Sequence, residues 1–346
     1  MAGKVSLALL VSLLLVSLAG ACAPFLEPAG PRVGNPALNG DHILTADGLK
    51  LPLRIWRPDG SPKVVVLALH GFNDYSKAFE APARFWAKRG MLTYAYDQRG
   101  FGATPHHGVW PGVAAMTADM RAAARLIRKR HKGLPFVLLG ESMGGAVIMA
   151  ALDEAAAAPE ADRVVLSAPA VWGWRVMPGW QRIGLRFFAH TIPVFTVTGQ
   201  GFNRIPSDNK EMLKQLGKDP LVIKHTRLDT LYGLVNLMDR ALGAAPRLNG
   251  NTLLLFGSKE DIIPAEARRM IEAQLPKGGC IRVAAYTSGY HMLLRDLQAK
   301  VVLGDIAAWI ADPGGPLPSG ADREGRDIGE DRPVALKCGA PMAARP

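Results

Sequence analysis

The 346-residue chain reads as an α/β protein, a mostly parallel sheet wrapped by helices with a helical insertion over it. Three observations lead there. Apolar runs of strand length recur along the chain, each followed by a stretch of helical periodicity, the order that makes a parallel sheet covered on both faces. That rhythm breaks once, from Ala170 to about Arg247, where helical patches and aromatic residues replace strands. And in Leu134–Ala146, LPFVLLGESMGGA, a buried strand turns directly into a buried helix through the G-x-S-x-G turn Gly140-Glu141-Ser142-Met143-Gly144.

Taken in order, residues 1–21 carry Lys4, the apolar run Val5–Leu18 and the small residues Ala19-Gly20-Ala21, the pattern of a secretory signal. Leu18-Ala19-Gly20-Ala21-Cys22 also resembles a bacterial lipobox, in which the leader is cut before a cysteine that receives lipid. Lipidation is therefore expected at Cys22, although Ala19 stands where such signals carry a large aliphatic residue. Residues 22–40, rich in proline and glycine, read as a tether. His42–Thr45 and Leu51–Trp56 flank Asp47-Gly48, a hairpin signal. Val64–Leu69 is the continuous apolar run of a strand buried on both faces. A helical pattern over Phe79–Lys88 follows, then the strand Met91–Tyr96, a helix capped by Thr117 and running to about Arg130, the strand before Ser142, and the strand Arg163–Leu166. After the insertion come the strand Thr252–Phe256, a helix, the strand Ile281–Tyr286 and a last helix, about Gln298–Ala311. The expected organisation is a core of 41–169 and 248–312, a helical cap of 170–247, and a disordered tail of 313–346, whose composition is dominated by glycine, proline and charge.

Apolar residues make up 49% of the chain, enough for a sizeable core and too many for general disorder. The net charge of +11 lies on the folded body, because acidic and basic residues balance in the tail. Arg125, Arg128, Lys129, Arg130 and Lys132 cluster at one helix end, where cations suit the helix dipole. No motif that reads nucleic acid accompanies them, and a secretion signal argues against such a partner. Cys22, Cys280 and Cys338 show no metal-type spacing, and Cys22 falls in the leader and Cys338 in the tail, so no structural disulfide is expected. Gly100-Phe101-Gly102 lacks the third glycine of a dinucleotide-binding turn, and His106-His107 has no neighbouring cysteine or acid to complete a metal site. No cofactor or metal is called for.

A strand that reverses into a helix at G-x-S-x-G strains the backbone at its serine and lifts Ser142 Oγ to the C-terminal rim of the sheet, above a helix N-terminus that favours negative charge. A serine hydroxyl needs a base, and the base an orienting acid. Among the eight histidines, His291 falls between the last strand and the last helix. The acid is expected after the preceding strand, where Glu260 and Asp261 are adjacent. Serine, acid, histidine is the chain order of a nucleophile-elbow hydrolase.

The motifs HGFND, DQRGFG, GESMGG, GSKEDIIP and GYHMLLRD together resemble the α/β-hydrolase superfamily, and within it the monoacylglycerol lipase and lysophospholipase branch, also termed serine aminopeptidase-like. The likeness runs from about Asp41 to Asp312 and takes in SDNKEMLKQLGKDPL and RLDTLYGLVNLMDRA of the insertion. It implies an α/β-hydrolase fold, Ser142 as nucleophile, His291 as base, and an oxyanion hole made by the backbone N–H groups of Phe72 and Met143. The branch carries aspartate four residues before the proline of the I-I-P run. Here Glu260 holds that place and Asp261 comes one step later, so Glu260 is expected as the acid, with Asp261 the alternative. His70 and Arg99 are expected to brace the oxyanion loop.

The implied activity is hydrolysis of carboxylic esters of lipid-like substrates, a monoacylglycerol or a lysophospholipid, through an acyl-enzyme. The expected partners are that small-molecule ester and, through lipidated Cys22, the membrane. The expected place is the cell envelope, lipid-anchored at the outer membrane, or secreted or periplasmic without the lipid. Esterases, thioesterases and peptidases share this fold, and a non-catalytic lipid-binding envelope lipoprotein is the rival of another class.

Overall fold

The computed structural model describes residues 23–152, 161–199, 204–248, 251–276 and 281–324. The leader and Cys22 lie outside the described residues. Nine strands form one sheet: β1 (Ala37–Leu38), β2 (His42–Leu44), β3 (Lys50–Trp56), β4 (Val64–Leu69), β5 (Met91–Tyr96), β6 (Phe136–Glu141), β7 (Arg163–Ser167), β10 (Thr252–Gly257) and β11 (Arg282–Tyr286), with β8 (Thr196–Val197) and β9 (Thr226–Arg227) forming a separate two-residue ribbon. The order is β1-β2-β3-β5-β4-β6-β7-β10-β11. β1, β2 and β3 pair antiparallel, β3 joins β5 antiparallel, and β5, β4, β6, β7, β10 and β11 run parallel. This is the expected α/β-hydrolase fold.

Period-2 alternation explains why the strands read as unbroken apolar runs. Val65, Leu67 and Leu69 of β4, with Leu138, Leu166, Leu254 and Phe256, join the core on one face; Val66 and Ala68, with Val137, Leu139, Val165 and Leu255, join the core on the other. The first face is covered by α2 (Val113–Arg130), α3 (Met143–Leu152) and α6 (Leu228–Ala244), the second by α1 (Glu80–Ala87) and α8 (Ala299–Ala311). Helix α2 begins five residues earlier than expected. Gly112, at φ +84°, stands at its N-cap, and Thr117 lies inside it, its hydroxyl donating to Ala114 O. Arg128 of the basic cluster chelates Asp162 at 2.6 and 3.0 Å.

The insertion 170–247 is not uniform. Its α4 (Gly179–Thr191) and α5 (Lys210–Lys218) are largely exposed, whereas α6 buries Leu234, Val235, Leu237, Met238, Ala241 and Leu242 against the α3 side of the body. The expected tether does not swing free over the residues described. Phe25 N–H donates to Asp229, Glu27 N–H to Trp110 O, Gly30 N–H to Asp47 and Val33 N–H to Ala46 O, before β1 joins the sheet. The expected disordered tail is ordered through Glu324. Leu317 and Ala321 are buried, and Asp322 pairs with Arg282 at 2.6 Å beneath them. Its glycines and prolines shape turns around that pair, which composition does not reveal. Residues 325–346 lie outside the described residues.

Candidate active site

Strand β6 ends at Glu141 and α3 begins at Met143, so Ser142 alone makes the turn, at φ +52°. For a residue with a Cβ this conformation costs about 1–3 kcal/mol and persists only where neighbours enforce it. Here Ser142 N–H donates to Ser167 O at 2.9 Å, and Ser142 O accepts from Ala170 N at 3.0 Å and Ala146 N at 3.1 Å. The flanking glycines are steric necessities. A Cβ on Gly144 would lie 2.1 Å from Leu69 O, and one on Gly140 2.4 Å from Gly145 N.

His291 reaches the same rim from the loop after β11. Its Nε2 accepts from Ser142 Oγ at 2.9 Å, and its Nδ1–H donates to Glu260 Oε2 at 2.7 Å. Glu260, in the loop after β10, has a fully buried side chain, and its other oxygen accepts from the amides of Ile262 at 2.7 Å and Ile263 at 3.0 Å. Burial by itself would raise the Glu260 pKa, but the imidazole and the two amides outweigh it and hold the carboxyl below its ordinary value. Burial would likewise depress His291, and the Glu260 carboxylate reverses that, so the imidazole titrates above its ordinary value. Each group makes the other's charged form cheaper. The two loops approach closely because Gly257 has no side chain. A Cβ there would meet Gly289 O at 2.3 Å, and Lys259 N–H donates to that same carbonyl at 2.9 Å.

Of the two adjacent acids, Glu260 therefore faces the imidazole. Asp261 points the other way, accepting from Arg204 Nη1 at 2.6 Å and from Ile205 N–H at 3.2 Å. The glutamate carries one methylene more than aspartate, and from this backbone position it spans the gap.

The loop after β4 lies against the elbow, the Cβ position of Gly71 falling 3.4 Å from Ser142 Cβ. His70 braces this loop as expected. Its Nδ1–H donates to Gly71 O at 2.8 Å, and its Nε2 accepts from Gln98 N–H at 2.9 Å, which settles the tautomer. Arg99 does not share that work. It lies between Asp47 and Asp119, with four hydrogen bonds of 2.7–3.0 Å, and joins the β2–β3 turn to α2. Sequence reasoning missed Phe101, whose ring meets those of both His70 and Phe72 edge-on at 5.8 and 5.7 Å, and Gln98, whose amide donates to His70 O. It also passed over Asp74, Glu141 and Arg295, although the signal was visible: an acid inside HGFND, another inside GESMGG and an arginine inside GYHMLLRD. Met143 opens α3, where N–H groups have no partner within the helix.

A strained serine on a strand–helix elbow, at the C-terminal rim of a parallel sheet of this order, defines an α/β-hydrolase. The sequence profile of the family described as serine aminopeptidase, S33, matches residues 60–298, and the chain belongs to that family. The monoacylglycerol lipase of Mycolicibacterium smegmatis is 27% identical over 270 residues, covering 76% of this chain and 93% of its own. The monoglyceride lipase of Homo sapiens is 27% identical over 283 residues, covering 78% and 89%. Among solved structures, the monoacylglycerol lipase of Paleococcus ferrophilus superposes with a TM-score of 0.62 at 21% identity, over 75% of this chain and 98% of that one. A soluble variant of the Saccharomyces cerevisiae monoglyceride lipase, solved with a substrate analog, gives 0.64 at 18% identity, over 83% and 97%. The chain is thus an α/β-hydrolase of the serine aminopeptidase, S33, family, and monoacylglycerol and monoglyceride lipases are among the proteins it resembles.

Proposed function

We propose that the chain hydrolyses the ester bond of a monoacylglycerol or a lysophospholipid through an acyl-enzyme on Ser142. The observation that carries this reading is the continuous hydrogen-bond path from Ser142 Oγ through His291 to Glu260. His291 Nε2 takes the serine proton as Oγ attacks the ester carbonyl. Glu260 stabilises the imidazolium that forms and holds the ring with Nε2 toward the serine. The N–H groups of Phe72 and Met143 oppose the charge on the carbonyl oxygen, each such donor contributing about 3–4 kcal/mol. His291 then protonates the departing alcohol, and water, activated by the same nitrogen, releases the fatty acid.

The lipid-like substrate is supported by the named relatives and by the cap. Helix α4 exposes Trp180, Ile183, Phe187 and Phe188 beside Arg182 and Arg186, with Val194 and Phe195 exposed just beyond. Aromatic and aliphatic side chains interleaved with arginines suit the boundary between headgroups and acyl chains. The same reading takes lipidated Cys22 as an anchor in the cell envelope. The chain from Phe25 onward is bonded to the body, so such an anchor would hold the cap side close to the bilayer.

A fluorophosphonate probe tests Ser142 directly: the folded wild type should be labelled, and Ser142→Ala should not. A panel of monoacylglycerols, lysophospholipids, p-nitrophenyl esters of increasing chain length and aminoacyl p-nitroanilides then identifies the substrate. Turnover of the amides without the esters would make the chain a peptidase and overturn the lipid reading. No labelling of Ser142 would leave a lipid-binding protein.

A further inference from the structure

We propose that Arg295 is a positioning residue for this reaction, its guanidinium bridging Asp74 and Glu141 to hold in register the three loops that carry Phe72, Ser142 and His291. The inference rests on the acyl-transfer reading above. Arg295 Nη1 lies 2.7 Å from Asp74 Oδ2, and Nη2 lies 3.2 Å from Glu141 Oε2. All three side chains are buried, at 9%, 7% and 2% exposure. Asp74 is two residues past Phe72, Glu141 immediately precedes Ser142, and Arg295 is four residues past His291. One side chain thus joins the oxyanion loop, the elbow and the histidine loop.

The chemistry of the group suits the task. A planar guanidinium presents its two terminal nitrogens in fixed directions, so it can hold two carboxylates at a set angle, whereas an ammonium ion cannot. Burial would lower the Arg295 pKa, and the two carboxylates more than offset it, so the cation persists. Asp74 is fixed in turn by Tyr75 N–H, which donates to Oδ1 at 2.8 Å. Among the described residues Asp74 Oδ2, Glu141 Oε1 and Arg295 Nε have no hydrogen-bond partner, so Arg295 holds Asp74 as an ion pair and Glu141 through a hydrogen bond. Displacing one loop would therefore strand a buried charge with nothing to replace its partner. His291 is faced by Glu260 from the loop after β10, by Glu141 from β6 and by Arg295 from its own loop, so Glu141 also favours the imidazolium and Arg295 opposes it.

The test separates alignment from mere stability. In Arg295→Met/Asp74→Asn/Glu141→Gln no buried charge is left unpaired, and a melting temperature close to wild type is expected. Its kcat on p-nitrophenyl butyrate should fall about 10²-fold, the usual effect of an ångström-scale misplacement. KM should change less than about three-fold on that account, and fluorophosphonate labelling of Ser142 should slow in parallel. Arg295→Lys, which keeps the charge but reaches one carboxylate, should fall between the two. Glu141→Gln should move the acid limb of kcat/KM to lower pH. A folded triple variant with wild-type kcat and labelling rate overturns the proposal, as does an acid limb unmoved in Glu141→Gln. Should the triple variant not fold, Asp74→Asn and Arg295→Lys are read by the same criteria. A wild type that is labelled but hydrolyses no ester sinks the substrate reading alone, because the labelling rates still report the alignment. A wild type that is not labelled overturns both.

Discussion

At the scale of single residues, the acid is the informative position. Sequence reasoning narrowed it to Glu260 or Asp261, and their separate partners divide the roles: Glu260 holds His291 and two backbone amides, and Asp261 holds Arg204 and Ile205 of the cap. Glu260→Gln should lower kcat by about 10³–10⁴-fold, because the amide no longer fixes the tautomer or stabilises the imidazolium. Asp261→Asn should stay within a few-fold of wild type in the same ester assay; the reverse ordering would return the acid role to Asp261. The pH profile follows from the same pair. The base works neutral, so activity is lost as pH falls through the pKa of His291, which Glu260 holds above the ordinary 6.5. The acid limb of kcat/KM should thus lie above about 6.5 in the wild type and move down in Glu260→Gln. A limb at or below 6.5 in the wild type would contradict the coupling.

At the scale of elements, the elbow and the cap behave differently. The elbow is legible because its constraint is local: a strand, a positive φ and a helix within a few residues, with glycine where the backbone crowds. Gly144→Ala should abolish Ser142 labelling and lower the urea midpoint, since its Cβ would press on Leu69 O and the core would have to shift, at about 1–3 kcal/mol or more. Retained labelling would mean that the turn can relax. The cap was legible only as a break in rhythm. Its segment from Arg204 to Asn209 ties both working loops: Arg204 to Asp261, Pro206 O to Met292 N–H, Ser207 Oγ to Asp296, and Asn209 to Arg295 O. Those partners lie more than fifty residues away in sequence, and no periodicity encodes them.

At the scale of the whole molecule, the first and last described segments are both bound to the body. Residues 23–38 cross the body from Asp229 to β2, and residues 313–324 close over Arg282. A chain truncated after Glu324 serves as the reference. Deleting 313–346 should remove about 2 kcal/mol or more, because Leu317 is lost from the core and Arg282 is left half-buried without Asp322. Equal urea midpoints for the two truncations would show that the 313–324 segment adds no stability.

The sequence by itself determined the sheet, its order of strands and helices, the serine on its elbow, and the loops that bear the acid and the base. These follow from patterns short enough to be written in consecutive residues: apolar alternation, turn glycines, and function placed at strand ends. Only the tertiary structure decided which acid meets His291, that Arg99 serves the hairpin and not the oxyanion loop, that Arg295 joins three loops, and that residues 23–38 and 313–324 are fastened. Each of these is a pairing of buried charges or backbone groups far apart in the chain, and its direction depends on side-chain reach and packing.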